Sequence, residues 1–67
     1  MPEYPFEHDG PAYLVSDDQY EVVYYVKDGK AYQRTRQPLV NDWDKTRPRQ
    51  ITMDEFMMAV ACIERKR

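Results

Sequence analysis

Asp28-Gly29 constrains this chain more than any other pair of residues. It joins two runs rich in aromatic and β-branched side chains, within "YEVVYYVKDGKAYQRTR" over 20–36. A type I′ turn needs positive φ at both central positions, which Asp-Gly accepts, and its twist matches that of the strands. A two-residue hairpin is therefore expected, with Lys27 opposite Lys30, Tyr25 opposite Tyr32, Val23 opposite Arg34 and Glu21 opposite Arg36. The other face then pairs Val26 with Ala31, Tyr24 with Gln33, Val22 with Thr35 and Tyr20 with Gln37. A slip of one residue would exchange the faces, so this assignment rests on the turn.

Both faces of that hairpin carry apolar bulk, although a solvated sheet usually has one polar face. This raises the question of what covers the second side. A C-terminal helix can cover one. Thr52 and Glu55 form a capping box, and Ile51 with Phe56 has the spacing of a hydrophobic staple. Asp54 and Glu55 suit the start of the helix dipole, and Arg65, Lys66 and Arg67 suit its end. Met53, Phe56, Met57, Val60, Ala61 and Ile63 make a broad apolar face, and Met58, Ala59 and Cys62 extend it around the side. A three-stranded sheet has too little area to cover all of that.

Residues 1–11 contain Pro2, Pro5 and Pro11 and read as an extended acidic arm. A short first strand is expected over 12–16, with a polar connection over 16–19. Pro38 should end the third strand, because it has no donor for a ladder. Residues 38–50 read as a long connection, with Leu39, Val40 and Trp43 as anchors and Asn41, Asp42 and Asp44 favouring turns. The expected fold is α+β: a three-stranded antiparallel meander packed on one C-terminal helix, β-β-β-α, with residues 12–67 forming one small domain. Val22, Val26, Tyr20 and Tyr24 should face Phe56, Met57, Val60 and Ile63.

A chain of 67 residues buries only about 60% of its unfolded surface, so its stability margin is thin. Cys62 is its one cysteine and His8 its one histidine. This excludes an internal disulfide, argues against a metal core, and fits a reducing, cytoplasmic setting. No cofactor is expected. The first ten residues lack the basic and apolar regions of a secretory signal. The apolar run over 56–63 is far short of the roughly 20 residues that span a bilayer.

Catalytic and phosphate-binding readings are weak. Glu7, His8 and Asp9 resemble an acid–base cluster, but an arm lacks the fixed geometry such chemistry needs. Cys62 lies among apolar helical neighbours, where a buried thiol is inert. "KDGK" is a turn, because a phosphate loop of the P-loop type needs a longer glycine-rich signature.

Charge is strongly segregated. Glu3, Glu7, Asp9, Asp17, Asp18 and Glu21 precede Lys27 with no cation among them, and all ten Lys and Arg residues lie from Lys27 onward. The outer hairpin face would show Val23, Tyr25, Tyr32, Arg34 and Arg36, with Glu21. Cross-strand packing alone accounts for such a face. The arm could cover it through Tyr4 and Phe6, bringing Glu3 and Glu7 towards Arg34 and Arg36. A partner could also cover it, because Tyr and Arg anchor interfaces.

The leading functional expectation is a non-catalytic protein-interaction module. It would be a modulator or inhibitor of a host protein complex, of the kind phages and mobile elements use, with Tyr25, Tyr32, Arg34, Arg36 and Trp43 as contact residues. The alternative is a DNA- or RNA-binding accessory protein using Lys30, Arg34, Arg36, Lys45, Arg47 and Arg49, with Tyr32 and Trp43 available for stacking. Against it stand Asp42 and Asp44 beside Trp43, and a pI of about 5.2. A homodimer formed through Met58 and Cys62, or through a sheet edge, is compatible with either.

Overall fold

The computed structural model describes residues 4–37 and 42–65. Four strands, β1 (Asp9–Ser16), β2 (Glu21–Lys27), β3 (Lys30–Arg36) and β4 (Arg49–Ile51), form one antiparallel sheet in that order. A short 3-10 helix covers Trp43–Lys45, and helix α1 runs Met53–Arg65. The fold is α+β.

The hairpin has the register its turn dictates, from Glu21 opposite Arg36 to Lys27 opposite Lys30. Asp28 and Gly29 adopt φ values of 54° and 77°, the left-handed pair a type I′ turn requires. The Asp28 N–H donates to the Asp9 carboxylate at 2.8 Å, tying the turn to the neighbouring strand.

Two strand expectations need correction. The sheet has four strands rather than three, because Arg49–Ile51 pairs with β3 through Ala31–Ile51, Tyr32–Gln50 and Gln33–Arg49. Three residues are too few to show an alternating pattern, so this strand owes its existence to the free edge of β3. The first strand begins at Asp9 rather than at residue 12. Gly10 at φ 71° and a register shift between Asp9 and Tyr13 carry the chain through Pro11. A missing N–H is tolerated there because β1 is an edge strand. The expectations for Met1, Pro2, Glu3, Pro38, Leu39, Val40, Asn41, Lys66 and Arg67 concern positions outside the described residues.

Helix α1 packs across the face that carries Tyr13, Val15, Val22, Tyr24, Val26, Ala31 and Ile51. Tyr13 meets Phe56 edge-on with ring centroids 6.1 Å apart. Thr52 caps the helix: its Oγ1 accepts the Glu55 N–H at 3.1 Å, and its carbonyl accepts the Phe56 N–H at 3.0 Å. Phe56, Ala59, Val60 and Ile63 are the half-buried positions. Their spacing of three, four and seven residues defines a narrow strip on one side of the helix.

Three expectations about this layer fail. Tyr20 precedes β2 and is exposed rather than turned to the helix; Met57 points outward; Cys62 is exposed rather than buried in the core. A single helix lying on a sheet covers only the strip that faces it, so the broader apolar surface read from the sequence is left outside.

The most buried cluster lies on the opposite face of the sheet. Val23, Tyr25 and Trp43 are buried, with Tyr4, Phe6, Ala12 and Tyr32 packed against them. Each fully buried side chain of this size contributes about 1.5–3 kcal/mol from removal of apolar surface from water. The molecule thus has three layers: arm and 3-10 helix, sheet, and α1.

Candidate interaction surfaces

The five residues expected to contact a partner do come together, but they are turned inward. Phe6 lies 4.6 Å from Tyr25 between ring centroids, and Tyr4 stacks on Phe6 at 5.2 Å. Tyr4 and Phe6 approach Trp43 edge-on at 5.9 and 6.4 Å. Tyr32 stacks on Tyr25 at 5.7 Å. Tyr25 retains 2% of its accessible surface and Trp43 6%. The second face of the hairpin is therefore covered by the chain's own arm.

Arg34 holds this layer together. Its Nε donates to the Tyr25 hydroxyl at 3.1 Å. One terminal nitrogen donates to the carbonyl oxygens of Trp43 at 3.2 Å and Thr46 at 2.9 Å, and to Thr46 Oγ1 at 3.2 Å. Its guanidinium sits 4.5 Å above the Phe6 ring. A rigid fork of donors can satisfy separate acceptors in this way, which a lysine ammonium cannot reproduce. Arg36 is similarly engaged. It pairs with Glu21, with Nε donating at 2.8 Å and a second nitrogen at 2.7 Å, and lies 4.6 Å above the Trp43 ring.

Of the two acidic residues expected to approach these arginines, Glu3 lies outside the described residues and Glu7 does not pair with them. Glu7 instead pairs with Lys27 at 3.7 Å, on the exposed surface. The His8 ring lies with Nδ1 2.8 Å from the Gly10 carbonyl oxygen. Glu7, His8 and Asp9 thus have separate local partners. Among the described residues, no three His, Cys, Asp or Glu side chains gather as a possible metal site, and no helix is long and apolar enough to cross a membrane.

The six cations of the nucleic-acid reading are divided by the fold. Lys30, Lys45, Arg47 and Arg49 are exposed, whereas Arg34 and Arg36 are half-buried in the aromatic layer.

An apolar surface remains on the outer side of α1. Met53, Met57 and Met58 are exposed to 45%, 63% and 70%. Ala61 and Cys62 are exposed beside them. A cleft of about 270 Å³, lined by Val15, Tyr24, Ala59, Cys62 and Ile63, opens next to this strip. Methionine suits a docking surface because its unbranched thioether adapts to irregular shapes. The sequence signal for it is the excess of apolar positions around α1 beyond what one sheet covers.

The fold and its surfaces describe a small α+β protein with a self-covered sheet and a helix apolar on its outer side. No protein-family model, curated protein or solved structure matches the chain.

Proposed function

We propose that the protein is a small non-catalytic interaction module, cytoplasmic, that modulates a protein complex by docking through the outer side of α1. The observation that carries this reading is the outward placement of Met57 and Met58, the two most exposed large apolar side chains among the described residues, on a helix whose opposite side already meets the sheet. Among the five contact candidates, Tyr25, Arg34, Arg36 and Trp43 serve the reading by fixing the scaffold, while half-buried Tyr32 stays at the rim of the aromatic layer. The contacts to a partner come from Met53, Met57, Met58 and Cys62.

The test is capture from cytoplasmic extract by tagged protein, with and without nuclease, comparing the natural chain with a Met57→Lys, Met58→Lys variant. A discrete protein that survives nuclease and is lost in the variant supports the reading. Equal capture by both chains removes it.

A nucleic-acid role draws support from the exposed run Lys45, Arg47 and Arg49. It requires binding that weakens steeply with salt as counterion release is suppressed. Capture abolished by nuclease, and by Arg47→Ala with Arg49→Ala, would favour it over protein docking.

A further inference from the structure

The outer side of α1 is complementary to itself. Asp54, Met58, Ala61 and Arg65 recur at steps of four, three and four residues and are all exposed. At 3.6 residues per turn they fall within an arc of about 60°, and this stepping is the seam of a helix pair. Met57 and Cys62 flank the seam, one on each side. These positions are also symmetric about the midpoint between Ala59 and Val60.

We infer that the occupant of this face is a second copy of the chain, its α1 running antiparallel across a two-fold axis at that midpoint. The inference rests on reading the outer side of α1 as an interface, and it names the partner. In this arrangement Asp54 faces Arg65 of the second copy, and Arg65 faces its Asp54. Met58 lies over the small Ala61 of the second copy, with Met57 of both copies along one edge of the seam and Cys62 of both along the other. A two-fold interface needs a patch that matches itself under rotation, and here both charge and size do so. A parallel pairing would instead set Asp54 against Asp54 and Arg65 against Arg65.

The ends of the seam are available for this. The ion pairs among the described residues are Lys27 with Glu7 and Arg36 with Glu21, so Asp54 and Arg65 are uncommitted. An acidic residue in the first turn and a basic one in the last also suit the helix dipole. The dipole does not require them to share one face with Met58 and Ala61. A seam one helix wide is smaller than the about 1,600 Å² of a standard interface, so the pairing is concentration-dependent.

Sedimentation equilibrium from micromolar to millimolar protein, at low salt, tests this. The natural chain should pass from its 8.1 kDa monomer mass to twice that value. Asp54→Lys alone and Arg65→Glu alone should each weaken association about tenfold, since two opposite-charge pairs become like-charge pairs. The two changes together should restore it. Met58→Lys should abolish it, with circular dichroism showing that α1 is retained. A natural chain that stays monomeric at millimolar concentration overturns the inference. A dimer abolished by Met58→Lys but unchanged by either charge variant also overturns it, leaving the interface reading intact. A dimer unaffected by Met58→Lys overturns both.

Discussion

The ring of Phe6, three residues before the start of β1, lies 4.6 Å from the ring of Tyr25 in the middle of β2. This contact closes the face of the sheet that α1 does not reach. The hairpin therefore needs no partner to cover its second face.

Replacing Phe6 with Ala should destabilise the protein by about 2 kcal/mol, less than the loss at a fully buried phenylalanine because Phe6 is half-buried. Urea unfolding measures this. Trp43 is the one tryptophan, and its emission in the native state should shift to longer wavelength as the arm loosens. An unshifted spectrum with unchanged stability would mean the arm is not part of the core.

Arg34→Lys should cost about 1–3 kcal/mol, because Tyr25, Trp43 and Thr46 lose a shared donor and a point-like ammonium cannot meet all of them. Arg47→Ala, at an exposed position, should stay within about 0.5 kcal/mol. Chemical denaturation of the two variants side by side separates a structural arginine from a surface one. Equal effects would contradict the inward role of Arg34.

Gly29→Ala should cost about 1 kcal/mol. A Cβ placed there meets nothing within 4 Å, so the cost is entirely the left-handed backbone at φ 77°. Gly29→Val should cost more, because branching at Cβ further disfavours that conformation. A neutral Gly29→Ala, read by thermal unfolding, would show that the turn relaxes to another type.

Thr52→Ala should cost about 1 kcal/mol through loss of the cap on the Glu55 N–H. Thr52→Ser should keep most of the stability, since its hydroxyl can accept the same bond. Helical circular dichroism with thermal melts distinguishes the two. Equal melting temperatures for Ala and Ser would remove the cap from the account of α1.

Local chemistry made several features legible without the structure. Asp28-Gly29 was sufficient for the hairpin and its full register, because the φ requirement of a two-residue turn leaves little choice. Thr52 and Glu55 were sufficient to place the start of α1, because a cap is made within one turn of chain. The apolar excess at Met57, Met58 and Cys62 is also visible as more than a small sheet can bury, although the sequence pattern places Met57 against the sheet and Cys62 in the core, and both are exposed. Their exposure depends on the angle at which α1 rests on the sheet, which periodicity around a nearly all-round apolar helix does not define.

Long-range relationships lay beyond that reach. Arg49–Ile51 is a strand because β3 offers an open edge, and three residues carry no pattern of their own. Tyr25, Arg34 and Trp43 have the composition of a contact surface, since Tyr, Trp and Arg suit a buried interface and a buried core alike. Which of the two they form depended on whether Tyr4 and Phe6 fold over them. That is a contact between segments far apart in the chain, closed by aromatic packing and by the donor fork of Arg34. The sequence by itself determined the turn, the cap and the amount of apolar surface. The tertiary structure decided which of that surface is inside, because burial depends on what distant residues bring to each face.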